Sequence, residues 1–200
     1  MHPVNPGIIL QIVLASASPR RQELLKQIGL DFRVMPSHVT EDKELLGTPS
    51  ELACQLAMAK ALSVGEQLRD SLVLGADTLV VHRGTVLGKP RTKEEAARML
   101  LQLQGDMHEV ITGVALIHLE SRKKSIFHVT TRVFFKPLTE REIWAYVASG
   151  EPMDKAGGYG IQGLGAALVE KIEGCYFNVV GLPLGRLVEE FKKFGVYVLK

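Results

Sequence analysis

Residues 8–28 read IILQIVLASASPRRQELLKQI and combine a buried strand, a tight loop and the start of a helix. The first seven of these residues are apolar except for Gln11, which is typical of a buried strand. Ser18 and Pro19 then predict a helix start, because Ser favours the N-cap position and Pro the first helical position. Apolar residues recur at helical spacing until Gly29 ends the helix. This strand, loop and helix organise the rest of the chain.

The first turn of that helix carries two arginines. Arg20 and Arg21 lie where a helix prefers acidic residues, because its unpaired N–H groups and its dipole make that end positive. The arrangement costs stability unless an anion binds, so it favours an anion-binding loop. The alternative is that both arginines are solvated surface charge and the loop only connects strand and helix.

Composition excludes several classes of protein. A chain of 200 residues with 46% hydrophobic and 23% charged content indicates one globular domain, residues 1–200, with enough apolar material for a core. A net charge of +2 without long basic runs argues against nucleic-acid binding. The apolar run at residues 8–14 is shorter than the ~20 residues a spanning helix needs, so no membrane partner is expected.

The cysteines and histidines form no ligand pattern. Cys54 and Cys175 are isolated, which fits reduced thiols in a cytoplasmic protein better than a disulfide framework. The six histidines are scattered without the spacing of a zinc site.

A carboxylate interrupts an apolar segment at residues 71–81. A buried Asp77 needs a cation, a metal ion or several N–H donors, and Gly75 and Ala76 leave room beside it. The alternative is that it caps a turn through Thr78. Upstream, a capping box at residues 48–51 opens a helix that places Lys60 beside its apolar stripe, so this amine either reaches inward or snorkels to solvent.

Residues 151–165 read EPMDKAGGYGIQGLG, with five glycines in nine positions. Helix or strand does not explain them, because each glycine costs about 1 kcal/mol there, so close backbone approach or positive φ is expected. The polar Asp154, Lys155 and Gln162 favour a ligand loop, and the alternative is an irregular connection to a strand at 166–172. A final helix and a closing strand at 196–199 follow.

These segments share one plausible type of ligand. Arginines and helix N–H groups bind phosphate oxygens, and carboxylates bind a divalent metal, so the simplest ligand is a phosphorylated small molecule. Phosphoryl transfer chiefly requires positioning and charge neutralisation, which these residue types supply without a Ser, Cys or His nucleophile.

Four segments carry a resemblance to a known family. Residues 16–21 (SASPRR) match the S-x-S-P-R-R motif of the Maf family of nucleoside triphosphate pyrophosphatases. Residues 75–78 (GADT), 88–90 (GKP) and 151–163 (EPMDKAGGYGIQG) resemble further blocks of that family, in the family's order. The combination extends over nearly the whole chain.

The resemblance implies a fold and a reaction. The implied fold is α/β, a mixed twisted sheet flanked by helices, with two lobes and a central cleft as in the inosine triphosphate pyrophosphatases. The implied reaction is hydrolysis between the α and β phosphates, which yields a nucleoside monophosphate and pyrophosphate with Mg²⁺ or Mn²⁺. The family also implies a homodimer.

The resemblance also implies roles for residues. Asp77 looks like the catalytic carboxylate, either the base for water or a metal ligand, and Glu41 looks like its acidic partner and the second metal ligand. The family usually has two adjacent acids at that point, whereas here Thr40 precedes Glu41 and Asp42 follows. The other implied residues neutralise phosphate charge or bind the triphosphate: Lys60, Lys89, Ser16, Arg20 and Arg21.

The base is implied by a combination of three residues. Arg20, Thr78 and Gln162 resemble the subgroup acting on dTTP and UTP, because an amide donates and accepts and so suits a pyrimidine edge. CTP is a further candidate. The subgroup acting on 7-methyl-GTP generally carries an acid at the Gln162 position, and that specificity is one alternative. The other is a nucleotide-binding regulator of septum formation with little catalysis, against which the intact Asp77, Lys60 and Lys89 argue.

Overall fold

The computed structural model describes residues 10–39 and 47–199 of the chain. Its strands are β1 (Ile12–Leu14), β2 (Arg33–Val34), β3 (Leu72–His82), β4 (Thr85–Leu87), β5 (Met107–His118), β6 (Lys123–Phe135) and β7 (Val169–Glu173). Its helices are α1 (Pro19–Gln27), α2 (Pro49–Gly65), α3 (Lys93–Leu103), α4 (Glu140–Ala148), α5 (Tyr176–Val180) and α6 (Leu184–Lys192). Short 3₁₀ turns occupy Glu151–Asp154, Ala156–Gly158 and Gly163–Leu168.

The strands in the described ranges form one mixed sheet. Its order is β2-β1-β3-β5-β6-β7, and β4 pairs with β3. β1 runs parallel to β2 and β3, whereas the remaining pairs are antiparallel. The prediction of an α/β fold with a mixed sheet flanked by helices is confirmed.

The outer edge of β3 contains a gap. β5 pairs with one edge of β3 along residues 73–81. On the other edge β1 pairs with residues 72–74 and β4 with residues 80–82. Between them, residues 75–79 have no strand partner on that edge among the described residues. The sheet is therefore open to loops at its centre.

Alternation along β3 directs side chains to opposite faces at this gap. Val73 packs in a core with Ala57 and Ala61 of α2, whereas Ala76 packs in a core with Leu187 of α6. Asp77 therefore lies on the α2 face, and the next side chain along the strand lies on the α6 face.

Two glycines allow α2 to lie directly against the sheet. A Cβ on Gly75 would come within 2.2 Å of the Ala57 carbonyl oxygen, and one on Gly113 of β5 within 2.3 Å of the Ala53 carbonyl. The room that Gly75 leaves beside Asp77 is therefore occupied by the backbone of α2. The close approach brings the next turn of α2 to Asp77.

Two apolar cores lie on either side of the gap. One joins β1, α1 and α6 through residues such as Leu14, Leu25 and Phe191, and the other joins α3 and α4 through residues such as Leu100 and Val147. The predicted division into two lobes about a central cleft matches this arrangement.

Two boundaries differ from the sequence prediction. Residues 196–199 do not form the predicted closing strand; Val196 packs against the first core and Leu199 is 88% exposed. The strand predicted at 166–172 begins only at Val169, because the preceding residues form a 3₁₀ turn.

The fit of α2 on β3 gives a first prediction. We expect Gly75→Ala to lower the free energy of unfolding by about 2 kcal/mol, because the added methyl group overpacks the contact with Ala57. Urea denaturation measures the change. Gly185→Ala is the matched control, since Gly185 lies in α6 with no other atom near the added Cβ, and its stability should stay within about 1 kcal/mol of wild type. Equal urea denaturation midpoints for Gly75→Ala and Gly185→Ala would contradict the close contact between α2 and β3.

Candidate active site

A cavity of about 700 Å³ occupies the gap beside β3. Its volume is in the range of small-molecule binding sites. Eight of the predicted site residues line it: Ser16, Arg20, Arg21, Lys60, Asp77, Thr78, Lys89 and Gln162. Glu41 lies outside the described residues. The structure thus brings the motifs together, and the roles of the individual residues stay predictions.

Asp77 meets a cation on α2. Lys60 Nζ lies 2.5 Å from Asp77 Oδ1, and only 15% and 8% of the two side chains are exposed. Of the three partners expected for a buried Asp77, a cation, a metal ion or several N–H donors, the structure shows a cation. The lysine reaches inward rather than snorkelling, because the close packing of α2 on Gly75 brings its ammonium to the carboxylate.

Arg21 connects three segments around the cavity. Its Nη1 donates to Ser16 Oγ (3.2 Å), its Nη2 to Thr78 Oγ1 (3.1 Å), and its Nε to the Gly181 carbonyl oxygen (3.0 Å). The guanidinium plane is thereby held between the loop after β1, strand β3 and the loop after α5. Gly181 has no role in the sequence prediction, and the structure gives it one.

The Thr78 hydroxyl continues this network into the core. Thr112 of β5 donates to the Asn178 carbonyl oxygen (3.0 Å), so its single hydroxyl hydrogen is used. The 3.0 Å contact between Thr78 Oγ1 and Thr112 Oγ1 must then have Thr78 as the donor. Thr78 can therefore only accept from Arg21 and from a ligand, which restricts its part in reading a base.

Asn178 joins this network to strands β5 and β6 in the core. It is fully buried, and its Nδ2 donates to the Val110 carbonyl oxygen (2.9 Å) and to Thr131 Oγ1 (3.0 Å). The sequence alone assigns no role to Asn178 or Thr112. The signal for Thr112 was the same as for Asp77, a polar residue inside an apolar strand.

The loop before α1 differs from the predicted capping arrangement. Ser18 occupies the N-cap position, but its side chain makes no capping bond, and Ser16 Oγ instead accepts from the Ser18 N–H (3.2 Å). The first turn of α1 contains no acidic residue. The positive end of α1 therefore faces the cavity without a side-chain cap.

Arg20 pairs across the cleft. Its Nη1 lies 3.6 Å from Asp154 Oδ2, on the segment that contains the glycines. Lys155 Nζ contacts the other Asp154 oxygen and the Glu151 carbonyl oxygen, each at 2.6 Å. Although partial burial opposes the effect, these two cations lower the pKa of the Asp154 carboxyl. The pair connects the two walls of the cavity.

The glycine-rich segment has the backbone that its sequence predicts. Gly157, Gly158 and Gly163 have φ values of +70°, +70° and +65°. A Cβ on Gly165 would lie 2.1 Å from the Gly160 carbonyl oxygen, so that glycine permits a close backbone approach. The segment lines the cavity through Gln162, which agrees with the ligand-loop interpretation.

With this geometry in view, comparison with known proteins gives the family. Residues 11–194 of the chain match the Maf family, which is described as Maf-like protein. The chain belongs to the Maf family. A relative from Pelotomaculum thermopropionicum named dTTP/UTP pyrophosphatase is 57% identical over 189 residues, 94% of this chain and 99% of that protein. One of the same name from Carboxydothermus hydrogenoformans is 51% identical and covers 93% of this chain and all of its own length.

Among solved structures, the Ham1 protein of Staphylococcus aureus is 18% identical to this chain, with a TM-score of 0.45. The match covers 80% of this chain and 79% of the Ham1 chain. Within residues 10–39 and 47–199, every helix of this Maf protein is too short or too polar to cross a bilayer.

A buried histidine supports the glycine-rich segment. His108 of β5 is 1% exposed, and its Nε2 lies 2.6 Å from the hydroxyl of Tyr159 in that segment. Its ring packs edge-on against Tyr159 and Phe135. Burial, with a smaller effect from His82, lowers the pKa of His108 to about 4.

The lowered pKa of His108 predicts how stability depends on pH. Below a pH of about 6.5 the unfolded chain binds a proton at His108 that the folded protein does not bind, so stability falls as the pH falls towards 4. We expect His108 to lower the free energy of unfolding by about 2 kcal/mol between pH 7 and pH 5. Urea denaturation across this range should show a shallower pH dependence in His108→Gln. The exposed His128→Gln is the control, and a slope equal to that of His108→Gln would contradict the assignment.

Proposed function

We propose that this Maf protein hydrolyses pyrimidine nucleoside triphosphates, dTTP and UTP, with CTP as a further candidate, to the monophosphate and pyrophosphate. The observation that carries the proposal is one cleft lined by the Asp77–Lys60 pair and by the arginine motif. Near full-length similarity to relatives named dTTP/UTP pyrophosphatase supports it. Water attacks the α-phosphorus, and pyrophosphate leaves.

The cationic groups suit binding of the triphosphate. Arg20, Lys60 and Lys89 line the cavity together with the uncapped start of α1, so they can bind phosphate oxygens from several directions. Arg21 keeps Ser16 and Thr78 in place while its charge remains at the site. Such preorganised positive charge stabilises the charge that develops on the leaving pyrophosphate.

Asp77 is the proposed catalytic carboxylate. It either accepts a proton from the attacking water or serves as a metal ligand, and Lys60 holds it in place in both cases. A carboxylate in a phosphate-binding cleft fits Mg²⁺ or Mn²⁺, because such ions are bound by one or two carboxylates together with substrate phosphates. Within the described residues no three His, Cys, Asp or Glu side chains cluster as a metal site. The protein ligands proposed from the family resemblance are Asp77 and Glu41, and a bound ion would neutralise phosphate charge.

Gln162 is the proposed base-reading residue. It lines the cavity, and its amide offers both a donor and an acceptor to a pyrimidine edge.

The family resemblance also supports a homodimer. Cys54 and Cys175 are both free thiols, which is consistent with the proposed cytoplasmic location.

The reaction is tested by pyrophosphate release. Canonical triphosphates and 7-methyl-GTP are incubated with the full chain in Mg²⁺, Mn²⁺ or a chelator. We expect metal-dependent turnover led by dTTP and UTP. A preference for a purine triphosphate would contradict the base assignment, and nucleotide binding without turnover would favour a regulator of septum formation.

Asp77→Asn tests the catalytic assignment. We expect kcat to fall by about 100-fold or more with triphosphate binding retained, because the amide cannot act as a base and is a poor metal ligand. Asp70→Asn is the control, since Asp70 is exposed and does not line the cleft. Turnover of Asp77→Asn equal to that of the control would refute the assigned role.

Gln162→Glu tests how the base is selected. We expect the ratio of kcat/KM for 7-methyl-GTP to that for UTP to rise by about tenfold, because a carboxylate attracts a cationic base and repels the carbonyl oxygens of uracil. Steady-state assays with both substrates measure the ratio. An unchanged ratio would show that Gln162 does not face the base.

A further inference from the structure

Glu151, the first residue of the glycine-rich segment, has no part in the proposed reaction. Its carboxylate instead binds the backbone of the same segment. Its Oε2 accepts from the Leu164 N–H (3.0 Å), and its Oε1 accepts from the Gly165 N–H (3.1 Å). Although burial alone would raise it, these bonds and the Tyr146 hydroxyl lower the pKa of the Glu151 carboxyl. The ionised side chain thus binds backbone donors thirteen and fourteen residues further along the chain.

Tyr146 of α4 extends this contact to the other end of the same loop. Its hydroxyl donates to Glu151 Oε1 (3.0 Å) and accepts from the Gly160 N–H (3.2 Å). Burial raises the pKa of Tyr146, so the hydroxyl remains a donor. One phenol and one carboxylate therefore bind three backbone N–H groups of residues 160–165.

The space around these bonds is filled. A Cβ on Gly163 would lie 2.8 Å from Glu151 Oε2, and one on Gly165 would lie 2.8 Å from the Tyr146 hydroxyl oxygen. Both glycines allow the backbone to approach the two side chains closely. The path of the loop is determined by these contacts rather than by regular secondary structure.

Gln162 lies between the two anchored ends. Only three residues separate Gly160, bound to Tyr146, from Leu164, bound to Glu151. So short a segment leaves little freedom for the Gln162 backbone. Gln162 lines the cleft from this segment.

From this geometry we infer that Glu151 and Tyr146 are positioning residues that determine base selectivity by holding Gln162 against the pyrimidine edge. The inference rests on the proposed function, in which Gln162 reads the base. Neither side chain belongs to the proposed phosphate-binding set. Loss of either one should weaken discrimination between bases while the chemistry at the phosphates continues.

The substitutions separate these effects. Glu151→Gln replaces an acceptor-only carboxylate by an amide whose NH₂ group faces a backbone donor, and Tyr146→Phe removes only the hydroxyl. The Glu151 carbonyl oxygen still accepts from Lys155 in both variants, so the Asp154 and Lys155 wall is retained. Glu140→Gln and Tyr176→Phe are matched controls at exposed positions.

The experiment compares kcat/KM for dTTP with kcat/KM for dATP in wild type and in each variant, with the melting temperature as a check on folding. We expect the dTTP to dATP ratio to fall by about tenfold in Glu151→Gln and in Tyr146→Phe, mainly through a higher KM for dTTP. Both controls should keep the wild-type ratio. In a Gln162→Ala background, Glu151→Gln should lower the ratio no further, because the group it positions is absent.

Three results would overturn the inference. An unchanged dTTP to dATP ratio in both variants would show that Glu151 and Tyr146 do not determine base selectivity. An equal loss of kcat/KM for dTTP and dATP would indicate a purely structural role. Failure of the proposed function gives a different result, because wild-type protein would then release no pyrophosphate or would prefer dATP to dTTP. That result overturns both the proposed function and the inference about Glu151 and Tyr146.

Discussion

The close contact between α2 and the centre of the sheet is the constraint on which the site depends. Two glycines, Gly75 on β3 and Gly113 on β5, allow the helix backbone to touch the strands. The helix then delivers Lys60 to Asp77, and the alternation of β3 directs that carboxylate towards it. Burying either charge alone would be costly, so the pair and the helix contact stabilise one another.

The two adjacent arginines have different surroundings and therefore different capacities. Arg21 donates three hydrogen bonds to oxygen atoms on three segments, which fixes its guanidinium. Arg20 makes a longer contact, 3.6 Å, with Asp154, whose side chain is 69% exposed. An ion pair with so exposed a carboxylate contributes little stability, so in the proposed function Arg20 can exchange Asp154 for a phosphate oxygen at small cost. Arg21 is thus fixed by its contacts, and in the proposed function Arg20 is the arginine that responds to the ligand.

Sequence reasoning located most of this site because its residues lie in motifs. The strand, loop and helix of residues 8–28, the buried Asp77 and the run of glycines each violate a local rule, and such violations mark functional segments. Charge and burial predicted that Asp77 needs a partner, but they did not identify Lys60 as that partner, which only the packing of α2 on β3 shows. What the sequence could not give were contacts through space, such as the use of Gly75 by α2. Glu151 and Tyr146 went unrecognised because their shared role exists only when residues 160–165 fold back on them.

The charged side chains that line the described part of the cleft give a reason why the reaction would need a metal ion. The lining contains five cationic side chains and three acidic ones. Lys60 faces Asp77, and Lys155 faces Asp154, so part of the positive charge is already balanced within the protein. A triphosphate adds several negative charges, and water attack requires an anionic α-phosphate to accept more electron density. If Asp77 held a divalent cation, as proposed, that ion would supply the remaining positive charge and would relieve the repulsion between the carboxylate and the substrate.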